Sequence, residues 1–158
     1  MSTIRALSIG HVGITVSDLD RSARFYRDAL GFTVAGESEN YAIEQEHLNN
    51  VFGARLRITT LRAARGPGIE LLEYLAPRDG RPAPPDLRAN DIAHWQTTLV
   101  TTTLDDLLPL ARSHRITLVS PGPVETDSRL GFRAGALVRD PDGHGLRIVT
   151  EPVMHSSR

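Results

Sequence analysis

The sequence contains no cysteine. That excludes a disulfide framework, a zinc-thiolate centre and a cysteine nucleophile, and it obliges any bound metal to take nitrogen and oxygen ligands. An excess of either charge is equally missing. Eighteen Lys and Arg against 19 Asp and Glu leave a net charge of −1, too little to hold a phosphate backbone or an anionic membrane surface. Neither nucleic acid nor membrane is an expected partner. No run approaches the roughly 18 uninterrupted apolar residues of a membrane span. The opening ten residues lack a basic stretch followed by an apolar one, so a cytoplasmic location is expected.

What is present is an ordinary globular composition, 40% hydrophobic and 23% charged in 158 residues. This length suits one domain, or two small half-domains sharing a core. Ile9, Val12, Ile14 and Val16 are interleaved with Gly10, His11, Gly13 and Thr15, a half-buried strand pattern. A helix follows, capped by Ser17 or Asp18, with Leu19, Ala23, Tyr26 and Leu30 as its apolar stripe and Gly31 at its end. Residues 32–35, 55–61 and 69–75 read as strands, the last two separated by the turn signal Arg65-Gly66-Pro67-Gly68. The polar segment 37–53, with Tyr41, Glu44, Glu46 and His47, reads as a solvated face or a lid. Pro82, Pro84 and Pro85 mark 77–90 as a linker.

A second series then begins: a strand over 92–100, a helix over 104–115 despite Pro109, a short strand over 117–119, and strands over 134–139 and 146–151 around Asp140-Pro141-Asp142-Gly143. Ile9-Gly10-His11 matches Ile92-Ala93-His94 at a separation of 83 (94 − 11). Ile69-Glu70-Leu71 matches Leu146-Arg147-Ile148 at 77 (147 − 70). The expected fold is therefore α+β, two tandem βαβββ modules forming a curved mixed sheet around a cavity. Its expected bounds are 1–76 for the first module, 77–90 for the linker, 91–151 for the second module and 152–158 for a tail.

Neighbours in a strand point to opposite faces. Val12, Ile14 and Val16 therefore go under the helix and leave His11 on the other face. The repeat places His94, Gln96 and Thr98 equivalently, and Glu70 shares a face with Leu72 and Tyr74. Two imidazoles and a carboxylate on one concave surface suit iron(II), zinc, manganese, nickel or cobalt. Glu73, an odd number of residues from Glu70, faces away. Tyr74, Gln96 and Arg57 are candidates for lining a substrate pocket, and Trp95 is expected to pack.

Four segments carry a family resemblance: His11-Val12-Gly13-Ile14-Thr15-Val16-Ser17-Asp18-Leu19, Phe25-Tyr26-Arg27-Asp28-Ala29-Leu30-Gly31-Phe32, Ile69-Glu70-Leu71-Leu72-Glu73 and Arg139-Asp140-Pro141-Asp142-Gly143-His144. On these the chain resembles the vicinal oxygen chelate superfamily of glyoxalase I, extradiol dioxygenases and bleomycin resistance proteins. The resemblance covers residues 9–151. It implies a homodimer and a divalent metal on His11, Glu70 and His94, with Glu70 a candidate base. Family members commonly carry a carboxylate where this chain has Arg147, and arginine cannot ligate a cation.

Three arrangements accommodate that departure: a three-ligand metal site, an arginine that grips an anionic substrate, and a chain that binds no metal. Two functions follow. One is a metal-dependent lyase, isomerase or dioxygenase acting on adjacent substrate oxygens, and the other is a metal-free protein that sequesters a small molecule or antibiotic.

Overall fold

The computed structural model describes residues 4–114 and 116–151. The expected tail, 152–158, lies outside the described residues, as does Arg115 at the end of the second expected helix. The chain divides into two compact units, Met1–Arg81 and Pro82–Arg158.

The first unit runs β1 (His11–Thr15), α1 (Leu19–Arg24), β2 (Thr33–Tyr41), α2 (Ile43–Asn49), β3 (Arg55–Arg62) and β4 (Gly68–Ala76). Its strands lie in the order β1-β4-β3-β2, with β1 parallel to β4 and the other pairs antiparallel. The polar stretch after residue 35 continues β2 to Tyr41 and then forms α2. β2 is an edge strand that is exposed almost throughout, so it needs no apolar alternation to be held by its ladder to β3.

Asp18 caps α1, its carboxylate accepting the Arg21 N–H at 2.9 Å. Helical neighbours ordinarily stand about 100° apart around the axis. Here the chain continues through a wider π-type turn, Phe25–Ala29, and both Phe25 and Tyr26 are buried. Tyr26 meets Phe25 and Phe32 edge-on, at centroid distances of 5.2 and 5.8 Å. Gly31 ends the segment at φ 72°, a left-handed conformation that costs glycine least. α1 packs on β3 and β4, and Ile14, Leu61, Ile69 and Leu71 are buried in this core.

The second unit runs β5 (Gln96–Thr101), α3 (Leu107–His114), β6 (Thr117–Leu118), β7 (Val124–Glu125), β8 (Ala134–Arg139) and β9 (Gly145–Thr150). The order is β5-β9-β8-β6, with β7 also paired to β8 and β5 parallel to β9. Val138, Ala136, Leu146 and Ile148 are buried together with Leu107 and Ala111 of α3. Each large side chain of this kind contributes about 1.5–3 kcal/mol by leaving water. Pro109 falls in the first turn of α3, where its missing N–H costs no helical bond.

β5 starts later than the apolar pattern of 92–100 implies. Residues 91–93 form a turn closed by His94 N–H to Asp91 O at 2.9 Å, and Asp91 is itself held by the Arg88 N–H at 2.7 Å. Trp95 is consequently outside the strand and 79% exposed rather than packed.

The turn between β8 and β9 is fixed by Asp140, which is buried. Its carboxylate accepts the backbone N–H of Asp142 and of His144, each at 2.9 Å, and the His144 ring Nδ1–H at 3.0 Å. Among the described residues no helix is long and apolar enough to cross a membrane.

Candidate functional site

In the first unit the parallel register sets His11 opposite Gly68 and Gly13 opposite Glu70. Residues two apart share a face, so His11 and Glu70 emerge on the same side of the sheet. Neither Gly13 nor Gly68 places a side chain between them. His11 Nε2 stands 3.3 Å from Glu70 Oε2, with the side chains 51% and 27% exposed. Tyr74 lies four residues beyond Glu70 on that face, and its hydroxyl accepts from Asn49 Nδ2 of α2 at 2.8 Å.

Arg57 does not join them. The register pairs Thr60 with Glu70 and Arg57 with Glu73, which turns Arg57 to the helix side. There its Nη2 meets Asp20 Oδ1 of α1 at 2.9 Å and its Nη1 meets Glu73 Oε2 at 3.5 Å. The hydrogen bond that Arg57 donates to Asp20 raises the guanidinium pKa above its ordinary value. The expected pocket role for Arg57 therefore gives way to a sheet-to-helix ion pair, because residue 57 is out of phase with residue 70 across the two strands. Glu73 faces away from Glu70, as its odd spacing implies.

In the second unit the register sets Gln96 opposite Gly145 and Thr98 opposite Arg147. Gly68 and Gly145 open the last strand of each sheet, and Glu70 and Arg147 follow each by two residues. Counted from these glycines, the backbone counterpart of His11 is Gln96, at a separation of 85 (96 − 11). His94 sits two residues earlier, ahead of β5. The separation of 83 read from Ile-x-His is thus not the one the backbone uses. A signal for 85 was available: Ile14 and Leu19 map onto Leu99 and Leu104 at that spacing.

His94, Gln96 and Arg147 are brought together. A guanidinium offers only donors, so Gln96 presents its oxygen to Arg147 and accepts from Nε at 3.0 Å and Nη2 at 2.8 Å. The Gln96 amide nitrogen then donates to His94 Nε2 at 3.2 Å. That direction makes Nε2 the acceptor and leaves the ring proton on Nδ1. Nδ1 is buried and has no hydrogen-bond partner among the described residues. The lone pair through which His94 would ligate a metal is thus already accepting a proton donor.

Gly145 makes this cluster possible and was not singled out from the sequence. A Cβ there would lie 2.8 Å from both His94 Cε1 and Trp95 O. Among the described residues no group of three or more His, Asp or Glu side chains forms a metal cluster.

Residues 8–148 match the model of the Glyoxalase/Bleomycin resistance protein/Dioxygenase superfamily, and the chain belongs to that superfamily. Virulence protein STM3117 of Salmonella typhimurium is 26% identical over 140 residues, which make up 89% of this chain and 81% of that protein. A glyoxalase family protein from Bacillus cereus superposes with a TM-score of 0.77 at 19% identity, over 96% of this chain and 98% of the other. The trypanothione-dependent glyoxalase I of Leishmania major gives a TM-score of 0.61 at 21% identity, over 92% and 88% of the two chains. At these identities the structural likenesses show the fold.

Proposed function

We propose that the chain is a metal-dependent enzyme acting on a small molecule, with His11 and Glu70 as the pair that holds a divalent cation. The observation that carries this reading is their 3.3 Å approach on the open side of the first sheet. Nitrogen and oxygen ligands about 2.0–2.2 Å from one ion stand about 3 Å apart when adjacent, so the pair fits such an ion with little movement. One neutral nitrogen and one compensating negative charge suit zinc, iron(II), manganese, nickel or cobalt. When bound, the ion would polarise neighbouring oxygens of the substrate and stabilise negative charge developing on them, which serves isomerase, lyase and ring-opening oxygenase chemistry alike. Glu70 is a candidate base when it leaves the ion, its carboxylate then being free to accept a proton. The family resemblance also implies a homodimer.

The test is calorimetric titration of chelator-stripped protein with zinc, manganese and iron(II), beside His11→Ala, Glu70→Gln and His94→Ala. The wild type is expected to bind one ion and the first two variants to lose it. His94→Ala, in which the lost ring is one that accepts from Gln96, is expected to retain it. A wild type that takes up none of the three metals overturns the proposal.

A second reading, a metal-free protein that sequesters a small molecule, is favoured by one observation. The position equivalent to Glu70 in the second unit carries a cation, Arg147, bound to a neutral amide.

A further inference from the structure

We propose that Arg147 is a carboxylate-recognition residue, pre-aimed by Gln96, and that the small molecule this protein handles carries a carboxylate. The inference takes from the preceding section only that the ligand is a small molecule; it does not require the metal.

The guanidinium has five N–H donors in a planar fork. Gln96 takes the Nε–H and one Nη2–H, at 3.0 and 2.8 Å. The end-on edge, formed by Nη1 and the second Nη2 hydrogen, has no partner among the described residues. Arg147 is exposed, so that edge is accessible. Two parallel donors on one plane match the two oxygens of a carboxylate. The edge held by Gln96 fixes the plane in advance, which lowers the ordering cost of binding.

The surrounding charge points the same way. On the face of the second sheet that carries Arg147, the register gathers Gln96, Thr98, Val100, Gly135, Leu137, Arg139, Gly145 and Val149, and none is acidic. Arg139 donates Nη1 to Gly143 O at 2.9 Å and Nη2 to Leu87 O. It too has no carboxylate partner among the described residues. Two cations therefore share a face with no acid within its strands, Glu151 standing just past the far end of β9; Arg139 gives donors to two carbonyls while Arg147 keeps an open fork. One open fork provides two parallel donors, which match both oxygens of a carboxylate; a phosphate can use the same fork and is the competing ligand to test.

The experiment is a nitrogen-edited NMR titration of metal-stripped protein with benzoate, benzamide and inorganic phosphate, following the Arg147 Nε–H and the Gln96 side-chain amide. Benzoate is expected to shift both signals saturably, benzamide to leave them in place, and phosphate to act more weakly than benzoate. Arg147→Lys, which keeps the charge and loses the fork, is expected to weaken benzoate by at least about tenfold. Gln96→Glu puts a carboxylate on the Nε edge, offsets the guanidinium charge and is expected to weaken benzoate while the end-on fork remains. Benzoate binding that is unchanged in either variant overturns the proposal, as does phosphate binding equal to benzoate. Metal titration of the same variants separates the two proposals. A chain that binds metal but not benzoate defeats this one alone, and one that binds benzoate but no metal defeats only the metal reading.

Discussion

Glu70 and Arg147 occupy the same place in their sheets, two residues past the glycine that opens the last strand and beside a parallel first strand. Equivalent backbone positions thus carry opposite charges. Glu70 meets an imidazole nitrogen at 3.3 Å, and Arg147 meets an amide oxygen at 2.8 Å. The first arrangement is suited to a cation and the second to an anion.

Glu70→Gln separates the charge of Glu70 from its shape. The amide keeps the length of the side chain and a hydrogen-bonding contact to His11, so divalent-ion affinity is expected to fall by at least about tenfold while the fold persists. A partly exposed His–Glu pair contributes no more than about 1 kcal/mol, and thermal melting is expected to move by only a few degrees. A collapse in stability with unchanged ion affinity would mark Glu70 as structural.

Gly145→Ala tests the close approach behind the arginine cluster. The new Cβ would meet His94 Cε1 and Trp95 O at 2.8 Å each. A backbone oxygen yields less readily than a side-chain tip, so His94 must move. The expected cost is about 1–3 kcal/mol, as for other overpacked sites, with displaced NMR signals for the His94 ring and the Gln96 amide. Unaltered stability together with unaltered His94 signals would contradict the packing described.

Much of this arrangement was legible in the residues. Period-2 alternation gave the face of His11 and Glu70, and the spacing of Glu73 placed it on the other side. Asp18 and Gly31 marked the ends of the first helical segment. Three features escaped for physical reasons. Edge strand β2 pairs along one side only, so its polar composition resembled a loop. The start of β5 is decided by the Arg88–Asp91 turn, which apolar spacing through Ile92 does not record. The partner of Gln96 depends on cross-strand register, which differs by two residues from the spacing of the Ile-x-His repeat, and a shift of two leaves the alternation unaltered.

Arg57→Gln distinguishes the helix-side ion pair from a pocket role. Arg57 bridges Asp20 and Glu73 at 2.9 and 3.5 Å, and these are partly exposed contacts, so a loss of about 1 kcal/mol or less is expected in urea unfolding. Metal and benzoate titrations should match the wild type. A tenfold loss in either would return Arg57 to the ligand side.

At Asp127 the hydrogen bond from Arg129 holds the carboxyl below its usual range. A depressed folded-state pKa stabilises the folded loop above the unfolded value, and that contribution disappears as pH falls through the folded value. The Arg129 side-chain contact should therefore persist at pH 4 and be lost only at more acidic pH, followed through the Asp127 carboxyl carbon by NMR. In Arg129→Ala the midpoint is expected to rise toward the ordinary aspartate value. The backbone N–H of residue 129 still donates to Asp127 in that variant, so the rise is partial, and a midpoint that does not rise at all would show that the Arg129 side chain is not the main cause.

Asp140→Ala tests whether the turn before β9 supports the arginine cluster. The carboxylate accepts two backbone N–H groups and the His144 ring N–H, and its side chain has no solvent exposure. Alanine leaves those donors without their acceptor, at a cost of about 2–4 kcal/mol, whereas asparagine keeps an oxygen and should cost less. Gly145 begins β9 directly after His144, so loosening the turn moves the backbone on which His94 rests. The variant is therefore expected to weaken benzoate at Arg147 as well as to unfold at lower urea, while ion binding at His11 and Glu70 stays near the wild-type value. If stability falls and benzoate affinity does not, the turn holds the second unit together without positioning Arg147.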